Sequence, residues 1–284
     1  MAKYKGIQGY SVQKLSADPT ASSNTTGQLW YNSTTGKFKI SIESSGAWSS
    51  GTAYPVARNG TYNAGPSTAN VTWGGWTSIT ASNEYDGTSW TATGVLDTGR
   101  ADMAGCGTQT AALAIGGSAP ALSGATETYN GSTWTEVADL NTARSKLGGG
   151  GTTTSAMVGA GEAPAGNNLS ESWNNTSWSV EAVVQTARQG AAGAGESNTS
   201  ALIFGGYVSA VSGATESWNG TAWTSVNSLN TVRYYLAGCG TQTLALAFGG
   251  SQNPPQVGAT ESWDGTCWTE LADLAQQRSG MGGG

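Results

Sequence analysis

Histidine is absent from the 284 residues. That removes the Ser-His-Asp and Cys-His arrangements that activate nucleophiles, along with the commonest metal ligand. Charge is scarce as well, at 11% of residues, with a formal net of −6. An acidic balance without a basic stripe argues against nucleic acid as a partner. The three cysteines, at 106, 239 and 267, have neither the number of a disulfide framework nor the spacing of a metal site, and are read as buried thiols acting as small hydrophobes. No apolar run approaches the ~18 residues of a membrane-spanning helix. The opening Met1-Ala2-Lys3-Tyr4-Lys5-Gly6 lacks the apolar core of a secretory leader, so synthesis in a cytoplasm without export is expected. No convincing helix pattern and no phosphate-binding glycine loop is found. With no cofactor or metal expected, the reading is non-enzymatic, because the acids that could serve glycoside hydrolysis are in-phase or turn residues with no isolated pair.

What is present is periodic. Glu216-Ser217-Trp218-Asn219-Gly220-Thr221-Ala222-Trp223-Thr224 recurs from Glu261, with variants from Glu127, Glu171 and Glu84. The second tryptophans stand at 90, 134, 178, 223 and 268, steps of 44 or 45 residues that mark a repeat architecture. Each copy reads as a β-hairpin, with Asn-Gly or Asp-Gly offering the two positive-φ positions of a type I′ turn. An arginine follows ten residues later, at 100, 144, 188, 233 and 278. Then come a small-residue run, a polar turn, and an apolar strand closed by a glycine pair, as in Leu202-Ile203-Phe204-Gly205-Gly206. Four short strands per period make one propeller blade. The arginine-led strand is expected innermost, since strands crowding a narrow axis have room only for small side chains. Arg58 opens the frame, so six arginine-led segments accompany five sets of outer strands. The surplus, from Arg278, either completes the first blade or belongs to a longer array, and both readings stay open.

This order of arginine, small strand, apolar strand, glycine pair, aromatic, turn and tryptophan resembles kelch repeats over about residues 58–284. Ala160-Gly161 departs from the glycine pair, and Asn175 replaces the turn glycine of the third hairpin, which asparagine tolerates. The resemblance implies an all-β fold, a five-bladed kelch-like β-propeller preceded by a small N-terminal β module. It says little of function, which propellers vary freely.

Residues 1–39 hold five of the six lysines and one acid, while the remainder is strongly acidic. Gly27 to Asn32, Thr34 to Ile40 and Gly46-Ala47-Trp48 predict strand, turn, strand, turn and a closing tryptophan. The pattern resembles a small β module near the start of bacteriophage tail-fibre and other virion proteins. It divides the chain into a module at 1–53 and a propeller at 54–284. What it implies is a virion component anchored to other virion proteins through Trp30, Tyr31, Phe38 and Trp48. A module this small would gain stability from such a partner or from homo-oligomerisation. The propeller would then face a host-surface glycan or receptor. The alternative is a cellular kelch-type adaptor or carbohydrate-binding module.

The in-phase arginines and glutamates (84, 127, 171, 216, 261) are read as structural ion pairs, because arginine's planar fork makes several fixed bonds. The ten in-phase aromatics are read as packing between blades. Binding is expected instead in the loops after the glycine pairs, where the repeats diverge most. The candidates there are Tyr207, Asn167, Asn253 and Gln256.

Overall fold

The computed structural model describes residues 13–15, 29–34, 37–40, 47–76, 80–118, 120–164 and 166–283. The chain divides into two compact units, Met1–Gly46 and Ala47–Gly284. In the first, Leu29–Asn32 and Lys37–Ile40 pair antiparallel, Leu29 opposite Ile40. A third strand, Gln13–Leu15, joins Leu29–Asn32 in parallel, in a stretch without sequence periodicity. The side chains of Trp30, Tyr31 and Phe38 lie outside the described residues. Residues 47–53, grouped with the N-terminal module on sequence, fall in the second unit.

That second unit is a five-bladed β-propeller: five four-stranded antiparallel sheets, spanning 62–92, 104–136, 148–180, 192–226 and 237–270. No helix occurs among the described residues. In the fourth blade Ala201 stands opposite Trp218, which stands opposite Trp223, so small and aromatic residues alternate across the sheet. The arginine-led strands are innermost and pack on one another. A Cβ added to Gly193 would lie 2.5 Å from Gly149 backbone, which is why that position must be glycine. They surround an axial cavity of about 180 Å³ lined by Tyr62, Cys106, Gly150, Ala194 and Cys239, among others.

Aromatic residues fill the gaps between blades. Trp134, Trp178, Trp223 and Trp268 are buried, and each indole donates to a hydroxyl of the preceding blade: Ser82, Thr126, Ser170 and Thr215, at 3.0–3.2 Å. Burying one such side chain contributes about 2–3 kcal/mol, and the repeated indole bond sets the angle between neighbours. Tyr85 and Trp90, in the first blade, are only half-buried.

Three expectations need correction. The hairpin turns are not type I′, since only the glycine (or Asn175, φ 75°) has positive φ. Tyr129 pairs directly with Trp134, leaving a four-residue loop. Asn130 Oδ1 accepts the amides of Ser132 and Thr133 there, so asparagine serves as a side-chain cap instead of a left-handed residue. The cysteines also differ: only Cys106 is buried, Cys239 is half-buried at the axis, and Cys267 is exposed on a hairpin turn. Lastly, the first blade carries its own inner strand, Tyr62–Ala64, so the segment after Arg278 does not complete it. That tail runs between the inner strands of the fifth and first blades. A Cβ on Gly282 would strike Asn63, and one on Gly283 would strike Gly238.

Candidate functional site

Most buried charge is committed to the scaffold. Arg100–Glu127, Arg144–Glu171, Arg188–Glu216 and Arg233–Glu261 pair at 2.7–3.1 Å with both partners almost wholly buried. Each glutamate also accepts two backbone amides from the linker leaving the preceding blade, as Glu216 does from Gln185 and Thr186. These clamps join consecutive blades and bury both charges away from solvent. The first blade departs from the expectation. Arg58 donates to the carbonyls of Gly74 and Ala81, while Glu84 accepts the Tyr129 hydroxyl at 2.7 Å.

Two residues after each repeat arginine the chain turns a corner with positive φ: Gly60 (66°), Asp102 (53°), Lys146 (57°), Gly190 (65°), Tyr235 (51°) and Gly280 (68°). Glycine adopts this conformation freely. Aspartate, lysine and tyrosine do so at about 1–2 kcal/mol each, and strain of this kind gathers at functional sites. The three strained corners place their side chains at one mouth of the axis. With Asn59, Trp76 and Gln256 they line a cavity of about 420 Å³.

Lys146 Nζ lies 2.7 Å from Glu162 Oε2 and also bonds Tyr235, while Trp76 bonds Asp102. Burial pushes the Asp102 carboxyl up, with Lys146 and Trp76 opposing. Burial pulls Lys146 down, but the bonds to Glu162 and Tyr235 outweigh it and leave the ammonium held above its usual range. Burial likewise raises Tyr235. Lys146 is therefore held as a charged donor toward Glu162 and Tyr235. A cationic donor and carboxylate acceptors beside aromatic walls suit a polar, hydroxyl-rich ligand. Among the described residues no group of three His, Cys, Asp or Glu could hold a metal ion.

The loop residues expected to bind have mixed placements. Gln256 reaches the mouth, its amide 3.2 Å from Ser279 Oγ. Tyr207 meets Tyr234 at 5.4 Å, and Tyr234 meets Tyr235 at 4.9 Å, so it extends the aromatic wall. Asn167 is occupied with its own loop, its carbonyl accepting the Arg188 amide and its side chain the Ala163 amide. Asn253 is an exposed turn residue at φ 65°. Trp48, expected to anchor, packs on Phe248 at 5.2 Å and donates to Thr260 at 3.0 Å within the propeller unit. Sequence reasoning missed Trp76, Asp102, Lys146 and Tyr235. For the last three the signal was present as the residue two after each arginine, which is glycine in three copies and aspartate, lysine or tyrosine in the other three, whereas Trp76 stands outside that pattern.

No family model and no curated protein matches this chain. Solved structures do. The structure of YjhT aligns with a TM-score of 0.66 at 13% identity, over 81% of this chain and 88% of that one. The likeness fits the kelch-like reading of the repeats and, at this identity, shows the fold alone. It is one of 212 matching chains, so the architecture recurs too widely to carry a function.

Proposed function

We propose that this chain is a non-enzymatic structural component of a bacteriophage particle, on the tail or the capsid surface. Its N-terminal segment attaches to other virion proteins, and its propeller presents a binding mouth to a host-surface glycan or receptor. The observation that carries the binding role is the convergence of Asp102, Lys146 and Tyr235, each at a strained corner, on one aromatic-walled cavity. The attachment role is supported by the lysine-rich N-terminal segment and its likeness to virion β modules. Mass spectrometry of purified particles, with immunogold labelling of intact ones by an antibody raised against the propeller, tests the reading. The chain should be present in the particles and labelled on their outside. Recovery only from the host-cell fraction would overturn it and favour a cellular adaptor or carbohydrate-binding module.

A further inference from the structure

The six corner residues form a closed ring of backbone hydrogen bonds. Asp102 donates to Gly60, Lys146 to Asp102, Gly190 to Lys146, Tyr235 to Gly190, Gly280 to Tyr235, and Gly60 to Gly280, at 2.8–3.2 Å. The ring holds the backbone beneath the strained side chains of Asp102, Lys146 and Tyr235, so their place at the mouth is set by the scaffold.

A second set of residues borders that ring. Each directly follows a blade's glycine pair (Ala160-Gly161 in the third blade) and lies beside the chain running from arginine to corner. Ala101 pairs with Ser118, Ser145 with Glu162, Gln189 with Tyr207 and Tyr234 with Ser251, while the Trp76 amide donates to the Asn59 carbonyl at 3.1 Å. The two serines are buried, but Trp76, Glu162 and Tyr207 reach solvent. Trp76 is 51% exposed and yet fixed, because its indole bonds the Asp102 carboxylate and its amide is held by Asn59. A flat apolar surface is thereby presented to solvent beside a carboxylate. Tyr235, Tyr234 and Tyr207 supply a second aromatic wall.

The charge of the mouth is one-sided. Two carboxylates, Asp102 and Glu162, stand against one ammonium, and that ammonium is engaged by Glu162 at 2.7 Å and by Tyr235. The described residues lining the cavity offer no other cation. A negatively charged ligand would meet Asp102 and would have to displace Glu162 to reach Lys146, a like-charge arrangement that rejects it. A neutral sugar meets no such barrier. Its apolar C–H face suits the indole, and its hydroxyls both donate and accept. The Asp102 carboxylate has lone pairs beyond the one that Trp76 uses, and of the three Lys146 protons Glu162 and Tyr235 take two.

We propose that the mouth selects neutral pyranose glycans over acidic ones. Trp76 is the stacking platform, Asp102 accepts two neighbouring sugar hydroxyls, and the Glu162–Lys146 pair excludes a sugar carboxylate. This selectivity rests on the mouth being a glycan site, as proposed above, and is independent of where the chain resides.

The probes are α- and β-linked oligosaccharides of glucose, galactose and mannose, arrayed beside the hexuronates that differ from them only at C6. The labelled full chain should bind neutral members saturably and their hexuronate counterparts at least ~10-fold more weakly. Trp76→Ala should weaken neutral binding at least ~10-fold, the effect of removing one aromatic anchor. Glu162→Gln should free Lys146 for a sugar carboxylate and narrow the neutral-over-acidic ratio at least ~10-fold. That last effect is a gain of hexuronate binding, so misfolding cannot explain it. A preference for hexuronates, neutral binding indifferent to Trp76→Ala, or a ratio unmoved by Glu162→Gln would overturn the selectivity while leaving a glycan-binding chain. Binding to no member of the array would overturn the selectivity and the glycan reading of the mouth together.

Discussion

At the scale of single residues, the repeated charges divide into two kinds. The buried pairs are scaffold. Arg188 meets Glu216 at 2.7 Å and also donates to the Thr186 and Ile203 carbonyls. Arg188→Ala leaves a buried carboxylate without its cation, a loss of about 3–5 kcal/mol. For a domain of this size that lowers the melting temperature by roughly 10 °C. Arg58→Ala, which breaks no ion pair among the described residues, should cost visibly less, and equal melting temperatures for the two variants would contradict the clamp. Asp102 is of the other kind. Burial raises its carboxyl, so the ionised form is disfavoured on folding. That cost is full above the folded pKa and disappears below the ordinary carboxylate range of about 4. Asp102→Asn should therefore melt above the native protein at pH 7, the gap closing as the pH falls through that range. A constant offset across pH would mean that the difference is not electrostatic.

At the scale of elements, the hairpins were legible and their turns were not. The aromatic, Asn-Gly and tryptophan spacing identifies two paired strands, because such residues favour pleated, half-buried surfaces. The dipeptide does not reveal whether asparagine contributes its backbone or its side chain. In the fourth blade Asn219 Oδ1 accepts the amides of Thr221 and Ala222 at 3.0 and 2.9 Å. Asn219→Ala should cost about 1 kcal/mol by urea denaturation, the usual effect of losing a side-chain cap. An unchanged midpoint would show that the glycine alone shapes the turn. The corner residues were likewise in view yet unread. Their meaning depends on a positive φ, which the small-residue run conceals.

At the scale of the whole molecule, the amino-acid order by itself determined the blade. Period, glycine pairs, tryptophans and small inner strands follow from local steric and burial requirements that every copy must meet, so they repeat in the sequence as they repeat in space. The count of corners around the axis was not determined that way. Six corners close the ring because the tail after Arg278 reaches Gly60 and Tyr235, contacts between segments some 220 and 45 residues apart. Trp48 was read as closing a separate module because its immediate neighbours resemble one. Its ten-residue distance to Arg58 acquires meaning only when Thr260 lies beside it. The mouth of Asp102, Lys146 and Tyr235 is a tertiary product as well. Residues from three repeats meet there only because the ring brings successive corners within one hydrogen bond of each other, a proximity that no local pattern encodes.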